Sequence, residues 1–468
     1  MRVLVVHYHL KPGGVTTVIR GQLAALASRG VGAALLVGEA PPDDRWGGTP
    51  PAVDRALAYD GPGSDGRPDA AKSAAIAAAI RREAARLASG GDDVVVHVHN
   101  PTIRKNASLL PALSALAGSG VALVMHVHDL AEDWRPEVYS DRPYPDGAAW
   151  AAINRRDAEA LAASGAGSAF FLPNPLPRAT GAEPPTRPSA GAGLVLYPVR
   201  GIRRKNLGEA VLLSLFMRPG GRVGVTLPPN SQRDRPYYDG WKAAAFELGA
   251  PIAFELGLGR GLDELYREAK AAVTTSVKEG FGLSYLEPAI RGRATLGRRL
   301  AKVVDDFEAE GLSFPALYGS IAAPRGLFDG GAFARRAAAS VREAVRAYGV
   351  ASESLPEAVA ADLAKGDAID FGRLDEAAQL EVLRAVRLSP EARRAVASAN
   401  PFIDGWDEAA ERGSPLAAGA LEPWSEERYA DRLEELYEDA IAGGGAAPDK
   451  AALLGLYLRP EAFHGVGV

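Results

Sequence analysis

The chain has 468 residues, more than a single hydrophobic core usually supports, so two or more domains are expected. Its 53 basic and 58 acidic residues give a formal charge of −5 without a basic stripe, which argues against a nucleic-acid-binding protein. It has no cysteine, which excludes disulfides and cysteine-ligated metals, and no apolar run of about 18 residues that would indicate a transmembrane segment.

The first part of the chain alternates apolar runs with helical patterns, which is typical of a parallel α/β sheet. The N-terminus, Met1–Val6, turns polar too soon for a signal peptide, so it is interpreted as the first strand of a cytoplasmic protein. Segment 38–67 is predicted to be irregular. The predicted strands are Arg2–Val6, Ala33–Val37, Asp93–Val98, Val121–Val127 and Ala169–Leu172. The predicted helices are Val15–Ser28, Ala70–Ala88, Ala107–Ala117 and Ala149–Ala163.

A proline-rich segment, Pro173–Gly193, is interpreted as an interdomain linker, after which the alternation restarts. The strands predicted there are Leu194–Val199, Arg222–Leu227, Ile252–Glu255 and Ala271–Thr275. The corresponding helices are Leu207–Phe216, Tyr237–Leu248, Leu262–Ala269 and Leu283–Arg291. Farther on, the helical patterns are Gly331–Tyr348, Leu374–Leu388 and Ser425–Ile441. The last of these has Ser425 as an expected N-cap and one apolar face that must pack against something.

Six of the seven histidines form His-x-His pairs at the ends of predicted strands. The pairs are His7/His9, His97/His99 and His126/His128. Carboxyl ends of parallel strands line the ligand crevice of an open sheet. We favour a polar lining for sugar hydroxyls or phosphate. Structural histidines remain an alternative, as does a metal centre, although Asp129 is the only further ligand nearby.

Two loops at helix starts are candidates for phosphate binding. Gly13 and Gly14 open the first helix, but neither a P-loop nor a dinucleotide fingerprint follows, so this signal is weak. The segment Arg200–Asn206 carries four cations after the first strand of the second domain. Those cations are either a solvated surface run or, as we favour, partners of a diphosphate.

The most informative segment is Lys278–Glu287, which lies between a predicted strand and a predicted helix. Its glycines, Gly280 and Gly282, leave backbone N–H groups accessible at a helix N-terminus, and Glu279 and Glu287 supply two carboxylates. This combination suits the diphosphate or hydroxyls of an activated sugar. An ordinary strand-to-helix turn with two solvated glutamates would show the same local pattern.

Together these features resemble retaining GT-B glycosyltransferases, the large family that includes sucrose synthases and bacterial mannosyl- and glucosyltransferases. The matching segments, which span about residues 1–292, are Lys11-Pro12-Gly13-Gly14-Val15, His128-Asp129, Pro173-Asn174-Pro175, the Arg200/Lys205 pair and the Glu-x7-Glu motif from Glu279 to Glu287. The resemblance implies two Rossmann-like doubly wound α/β domains that face each other across a cleft, with a helical C-terminal extension. In that family the cleft holds a nucleotide sugar.

The resemblance also implies roles for individual residues. Arg200 and Lys205 would hold the diphosphate and neutralise the departing charge, while Glu287 would bind the ribose hydroxyls and Glu279 would lie by the donor sugar. His128 would lie near the anomeric carbon. The implied donor-binding set is Gly13, Gly14, Arg200, Lys205, Gly280, Phe281, Gly282, Leu283 and Glu287, in which the amides of Phe281–Leu283 orient the sugar. The implied catalytic set is His128, Glu279, Arg200 and Lys205.

Family members transfer with retention and need no bound metal or other cofactor. We therefore expect a metal-independent hexosyltransferase that uses a UDP-, GDP- or ADP-sugar and a small soluble acceptor. Two cations, Arg104 and Lys105, favour an acidic acceptor such as a sugar acid or sugar phosphate. The predicted acceptor-binding residues are His9, His99, Asn100, Arg104, Lys105 and Asp129. A phosphorylase, a sugar-nucleotide epimerase and a catalytically silent nucleotide-sugar-binding protein remain alternatives.

The expected domain limits follow from the linker and the helices. Residues 1–177 form the N-terminal acceptor domain, and residues 178–420 form the donor domain with a helical insert at about 300–415. Residues 421–468 form a helix that crosses back to the first domain, and a tail. The segment Arg293–Pro324 departs from the family pattern, which leaves its strands and its contacts with the donor base unassigned.

Overall fold

The structure is a computed structural model that describes residues 1–41, 46, 50–61, 64–88, 90–176, 193–352, 354–412 and 419–466. The chain divides into two compact units. Unit 1 comprises Met1–Arg178, Ala344–Ala351 and Leu421–Leu458, and unit 2 comprises Ala179–Glu343, Ser352–Ala420 and Arg459–Val468. Most of the predicted linker, residues 177–192, lies outside the described residues. None of the helices in the described ranges combines the length and the apolar character needed to cross a bilayer.

Unit 1 is built on a seven-stranded parallel sheet with the strand order β3-β2-β1-β4-β5-β6-β7. Its first elements are β1 (Arg2–His7), α1 (Gly14–Ser28), β2 (Gly32–Val37), β3 (Ala52–Val53), α2 (Ala70–Leu87), β4 (Val94–His99), α3 (Leu109–Ala117), β5 (Ala122–Val127), β6 (Ala148–Ala152), α4 (Arg155–Ala163) and β7 (Ala169–Phe171). The central strands are apolar on both faces because helices cover both sides of the sheet. Every strand predicted for this region is confirmed to within two residues.

The predicted helix Ala149–Ala163 is wrong in its first third. Residues Ala148–Ala152 form β6, which pairs in parallel with β5 and β7, and α4 begins only after Asn154. The side chain of Asn154 accepts a hydrogen bond from the backbone N–H of Asp157 and caps α4. Alanine favours helices when it is exposed, but here all five residues of the strand are buried. Burial between two layers therefore overrides the local propensity.

Unit 2 contains a six-stranded parallel sheet with the order β10-β9-β8-β11-β12-β13, and a separate antiparallel pair, β14-β15. Its elements are β8 (Leu194–Arg200), α5 (Leu207–Leu215), β9 (Arg222–Leu227), α6 (Arg235–Glu247), β10 (Ile252–Ala253), α7 (Leu262–Glu268), β11 (Ala271–Thr274), α8 (Leu283–Ile290), β12 (Ala294–Arg298), α9 (Ala301–Ala309), β13 (Leu317–Tyr318), β14 (Ala322–Pro324), α10 (Gly330–Tyr348), α11 (Ser354–Leu363), β15 (Ala368–Asp370), α12 (Glu376–Leu388) and α13 (Pro390–Ala399). The last turn of α10 is assigned to unit 1.

The segment that the sequence left unassigned after Arg291 continues the second sheet. The strand β12 pairs with β11, although it ends in Arg298, a residue that rarely occupies a buried strand. Its guanidinium is only 3% exposed and donates hydrogen bonds to the carboxylates of Glu209 and Asp370. These two anions come from α5 and β15, so no local pattern could reveal that the arginine is neutralised.

Two helices near the C-terminus complete unit 1: α14 (Glu426–Ile441) and α15 (Lys450–Tyr457). The hydroxyl of Ser425 accepts a hydrogen bond from the backbone N–H of Arg428, which confirms the expected N-cap. The buried face of α14 carries Leu433, Leu436 and Tyr437 and packs with α1 on one face of the seven-stranded sheet. Each fully buried leucine contributes about 1.5–3 kcal/mol to folding, so α14 is an integral part of the unit 1 core.

Candidate active site

The unit 2 site begins with the loop that follows β8. Arg200 is the last residue of β8, and Lys205 ends a single 3₁₀ turn, Arg203–Lys205. The backbone carbonyl of Lys205 accepts hydrogen bonds from the hydroxyl of Tyr197 at 2.6 Å and from Oγ1 of Thr275 at 3.0 Å. These two donors come from β8 and from the end of β11, so the sheet itself holds the cationic loop in place.

The ammonium group of Lys205 donates a hydrogen bond to the carboxylate of Glu279, and both side chains are nearly buried. Burial alone would raise the pKa of Glu279, but the charges of Lys205 and Arg204 outweigh it, so the pKa lies below its ordinary value. Glu279 is therefore a buried anion at neutral pH. The pair brings the glycine turn and the cationic loop, which the sequence had treated as separate motifs, into direct contact.

Arg200 lies at the neighbouring strand end. Its Nη1 donates a hydrogen bond to Oδ1 of Asn230 at 2.8 Å, and Asn230 follows β9. Because β8 and β9 are adjacent and parallel, Arg200 and Lys205 are both at the carboxyl edge of the sheet. This edge gathers two cations and one carboxylate, and the two cations carry the charge that the predicted diphosphate would need.

The glycine turn has a structural reason of its own. Gly282 adopts a φ of +85°, a left-handed conformation that side chains disfavour, and a Cβ there would overlap Cγ1 of Val303. The Phe281 ring packs into the core against Phe307, with ring centroids 5.6 Å apart. Since α8 begins at Leu283, what Phe281 and Gly282 can offer a ligand at this helix start is backbone.

Glu287 lies about one turn into α8 and pairs with Arg291 at 3.4 Å. Burial raises its pKa, the charge of Arg291 opposes the rise, and Asp263 adds to it. The ion-pair partner of Glu287 in this structure is thus the next cation along its own helix, while Lys205 is bound to Glu279. A ribose hydroxyl would meet a carboxylate that is already held in position by Arg291.

In unit 1, the loop after β1 contains His9 and the two predicted glycines. The half-buried ring of His9 lies 5.0 Å from the ring of Tyr59, and burial lowers its pKa. Gly13 has an extended φ of 173°, which any residue adopts. A Cβ at Gly14 would meet nothing within 4 Å. The fold of the described residues therefore does not require glycine at position 14, and a ligand that approaches the backbone would explain it.

Asn100 connects the ends of β4 and β5. It has a φ of 55°, and its Oδ1 accepts hydrogen bonds from the backbone N–H groups of His128 at 3.4 Å and Asp129 at 3.2 Å. Asparagine tolerates this left-handed conformation better than most residues. The carboxylate of Asp129 pairs with Arg135 at 3.1 Å. Asn100 thus shapes the turn that carries His128 and Asp129, and its contact with the acceptor stays a prediction.

The two cations predicted to meet an acidic acceptor lie side by side in the chain but have different neighbours. The ammonium of Lys105 is 5.9 Å from the centre of the Tyr59 ring, the same ring that contacts His9. The side chain of Arg104 is exposed and lies against Gly66. Lys105 and His9 therefore share one aromatic neighbour, while Arg104 lies beside a different loop.

Five histidines form a buried cluster behind this edge: His7, His97, His99, His126 and His128. Burial lowers the pKa of His97 to about 3 and that of His128 to about 4, so these rings are neutral at pH 7. Three of the rings, His97, His99 and His126, offer nitrogen atoms within 4.8 Å of one another, a spacing that a metal ion could bridge. However, Nε2 of His97 and Nδ1 of His126 already form a hydrogen bond of 3.0 Å. Hydrogen bonding thus accounts for this contact without an ion.

No protein-family profile matches the chain. A curated relative, mannosylglucosyl-3-phosphoglycerate synthase of Petrotoga mobilis, is 29% identical over 253 residues, which covers 45% of this chain and 47% of that protein. The matched segment thus spans about half the length of the curated relative.

Several solved structures resemble nearly the whole chain. Sucrose-phosphate synthase from Thermosynechococcus elongatus is 15% identical with a TM-score of 0.50 and covers 94% of this chain and 100% of its own. Anabaena HepE in complex with UDP and glucose is 11% identical with a TM-score of 0.50 and covers the same shares. The chain has the GT-B fold. This confirms the fold class predicted from the motifs, with two parallel Rossmann-like sheets of seven and six strands.

Within this GT-B chain, several residues at the two sheet edges were not found by sequence reasoning. They are Gln22, Tyr59, Arg135, Asn230 and Tyr437. None lies in a motif of its own. For Asn230 a weak signal existed, because it follows Pro228-Pro229 in a turn directly after a strand. Tyr437 lies 340 residues after His97 in the chain, and the helix that carries it brings its hydroxyl to the histidines.

Proposed function

We propose that the chain is a retaining glycosyltransferase that transfers a hexose from a nucleotide-diphosphate sugar to a small acidic acceptor without a bound metal. The observation that carries the proposal is the buried contact between Lys205 and Glu279, beside Arg200 at one sheet edge. A glycosyl diphosphate needs fixed positive charge at its phosphates and an anion near the sugar. These three side chains supply both from two adjacent loops.

The chemistry follows from where charge develops. As the bond between the anomeric carbon and the phosphate oxygen breaks, its electron pair stays on the phosphate, and the charges of Arg200 and Lys205 stabilise it. The acceptor oxygen attacks the same face of the sugar, and its proton passes to the departing phosphate oxygen. The configuration at the anomeric carbon is retained. Atoms and charge balance without a protein nucleophile or a metal.

The role of Glu279 is to bind sugar hydroxyls as an anion. A carboxylate accepts hydrogen bonds only while ionised, and the lowered pKa of Glu279 keeps it so at neutral pH. Since Lys205 holds one carboxylate oxygen, the pair also fixes the orientation of the second oxygen. Glu287, held by Arg291, is assigned to the ribose hydroxyls.

An acidic acceptor is supported by two independent facts. Lys105 and Arg104 are cations beside the carboxyl edge of the unit 1 sheet. The relative from Petrotoga mobilis bears a name that describes a phosphorylated glycerate in its product. We infer a small acceptor that carries a carboxylate or phosphate.

Two measurements test the proposed function. Thermal shift with UDP-, GDP- and ADP-sugars should raise the unfolding temperature for one base, since a ligand at 100 times its dissociation constant adds about 2.7 kcal/mol. Proton NMR of the product with that donor and acidic acceptors such as 3-phosphoglycerate should show the anomeric configuration of the donor. Product from free phosphate would instead indicate a phosphorylase, and an altered donor sugar without an acceptor would indicate an epimerase. Binding without turnover across an acceptor panel would indicate a catalytically silent protein.

A further inference from the structure

The helical insert of unit 2 contacts the cationic loop after β8 through one face of α12. Glu376, the first residue of α12, forms an ion pair with Arg203, which opens the 3₁₀ turn of that loop. One turn farther along the helix, the amide nitrogen of Gln379 donates a hydrogen bond of 2.9 Å to Oδ1 of Asn206, the residue that directly follows Lys205. Residues three apart on a helix share one face, so α12 holds the turn at both of its ends.

The orientation of the Gln379 amide is fixed by its surroundings. Its nitrogen also lies 3.1 Å from the backbone oxygen of Phe371, and a carbonyl oxygen can only accept a hydrogen bond. On the other side, Nδ2 of Asn206 donates at 2.8 Å to the carboxylate of Glu209, which also pairs with Arg298. Oδ1 of Asn206 is therefore the atom that faces Gln379, and the amide nitrogen is the only possible donor between them.

The same amide is a poor way to fill this space. Gln379 is fully buried, and its Oε1 has no hydrogen-bond partner among the described residues. A buried carbonyl without a partner is unfavourable, so stability alone does not explain an amide at this position. What the amide adds is its contact with Asn206, which has a φ of 50°. A left-handed conformation persists only where its surroundings hold it.

The sheet holds the opposite side of the same turn. Oγ1 of Thr275 donates to the backbone oxygen of Lys205 at 3.0 Å and to that of Asn206 at 3.1 Å. The sheet thus binds the carbonyl groups of the turn, while α12 binds it through the Asn206 side chain. Between these two supports, the Lys205 ammonium group is directed to Glu279.

We propose that Gln379 is a positioning residue, which through Asn206 holds Lys205 where its ammonium group meets the terminal phosphate of a nucleoside diphosphate. This rests on the proposed function, in which Arg200 and Lys205 bind the diphosphate. Without Gln379 the turn at Asn206 relaxes, and the ammonium group occupies its binding position for a smaller fraction of the time. The helical insert, which lies outside the segments that match the family, thereby takes part in donor binding.

The test compares Gln379→Met with Asn400→Leu. Methionine is unbranched and similar in size to glutamine, but it cannot donate a hydrogen bond to Asn206. Asn400 is a buried amide of the same insert, and its side chain binds the backbone of Ala322 and Val396, which lie outside the cationic loop. Both variants remove a buried amide from the insert, so a general loss of stability would appear in both.

Isothermal titration calorimetry with UDP, GDP and ADP, and with the matching monophosphates, measures the effect. A monophosphate lacks the terminal phosphate, so it does not report on Lys205. In Gln379→Met the dissociation constant of the diphosphate that binds should rise about five-fold, the value of one hydrogen bond, and that of its monophosphate less than two-fold. Asn400→Leu should leave both constants nearly unchanged.

Hydrogen–deuterium exchange reports on the turn without any ligand. The backbone N–H groups of Lys205 and Asn206 donate to the carbonyl oxygens of Ile202 and Arg203, both at 2.9 Å. These bonds should open more often in Gln379→Met, so exchange of the loop amides should be faster there than in the wild type or in Asn400→Leu.

Asn206→Gly is a second variant that leaves the core of the insert intact. Glycine adopts the left-handed φ without strain, but it offers Gln379 no acceptor. It should reproduce the loss of diphosphate binding. The double variant Asn206→Gly/Gln379→Met should show no further loss, because the two residues act through one contact.

No weakening in Gln379→Met, or equal weakening of the diphosphate and the monophosphate, would overturn the proposal. A comparable loss in Asn400→Leu or additive losses in the double variant would do the same, as would loop exchange that is unchanged in Gln379→Met. If no nucleotide binds to the wild type, the proposed function fails. Faster loop exchange in Gln379→Met than in Asn400→Leu would then still show that Gln379 holds the turn.

Discussion

Arg298 donates hydrogen bonds to both oxygens of Glu209 in the core of unit 2, at 2.9 and 2.5 Å, where Glu209 is fully buried. The same guanidinium also binds Asp370 of β15, which belongs to the helical insert. One arginine thus pairs with two carboxylates and joins the sheet to the insert. Breaking such a buried network is costly because the partners that remain are unpaired charges.

Arg298→Met should therefore lower the free energy of unfolding by about 3–5 kcal/mol. The adjacent Arg299 is the matched control, since it pairs with Asp305 and Glu308 at the surface. Arg299→Met should cost less than about 1 kcal/mol. Urea titration of both variants measures the difference, and equal stabilities would contradict the structural role assigned to Arg298.

Lys205→Met should destabilise unit 2 because it leaves the Glu279 carboxylate buried without its partner, at a cost of about 3–5 kcal/mol. Adding Glu279→Gln should restore most of that stability, since the double variant contains no buried charge at this contact. Turnover should not return, because both the phosphate cation and the sugar-binding anion are absent. A double variant that regains both stability and turnover would show that the ion pair serves folding alone.

Gly14 and Gly282 should respond in opposite ways to alanine. A Cβ at Gly14 meets open space, so Gly14→Ala should keep the stability or raise it by less than about 1 kcal/mol, yet weaken substrate binding. Gly282→Ala should destabilise the protein, because its φ is +85° and the Cβ overlaps Val303. Thermal unfolding and donor titration separate the two effects. Unchanged donor and acceptor KM values in Gly14→Ala would mean that no ligand approaches this backbone.

The buried histidines should make the protein sensitive to acid. Burial lowers the pKa of His7 and His97 to about 3 and that of His128 to about 4, against an ordinary value of 6.5. Between these values the unfolded chain binds more protons than the folded one. The contribution of these histidines to the free energy of unfolding is therefore fully present above pH 6.5. It falls as the pH drops towards 4, by about 1.4 kcal/mol per pH unit for each such histidine.

Urea unfolding at pH 7.5, 6 and 5 should show this loss well before the carboxylates titrate. His7→Gln removes one of the proton-binding groups, so its stability should decline less steeply with pH by about 1.4 kcal/mol per unit. A free energy of unfolding that stays constant between pH 7.5 and 5 would be incompatible with five neutral, buried imidazoles.

The acceptor site can be probed with the Arg104→Ala/Lys105→Ala double variant. Loss of two cations should raise the KM of an acidic acceptor about ten-fold or more, since hydrogen bonds to charged groups contribute about 1.5–3 kcal/mol each. The KM of the nucleotide sugar serves as the internal control and should stay unchanged. An equal rise in both constants would indicate a general loss of structure, and no rise would place the acidic group elsewhere.

Most of the strands and the two loops that were candidates for phosphate binding could be predicted because their signals are local. An apolar run such as Val3–Val6 specifies a doubly buried strand, and a glycine turn before an amphipathic run specifies a helix start. The sequence also placed Lys205 and Glu279 in loops that follow two predicted strands. It could not predict that they touch, since the order of strands in the sheet is not a local property.

The chain by itself therefore determined the two α/β units, the position of the charged and glycine-containing loops at strand ends, and the fold they resemble. Only the tertiary structure decided that Ala148–Ala152 is a strand, that Arg298 is buried and that Tyr437 reaches the histidines. The reason is common to all three. Burial between layers and neutralisation by a distant partner are worth several kcal/mol, which exceeds local propensities of less than about 1 kcal/mol per residue.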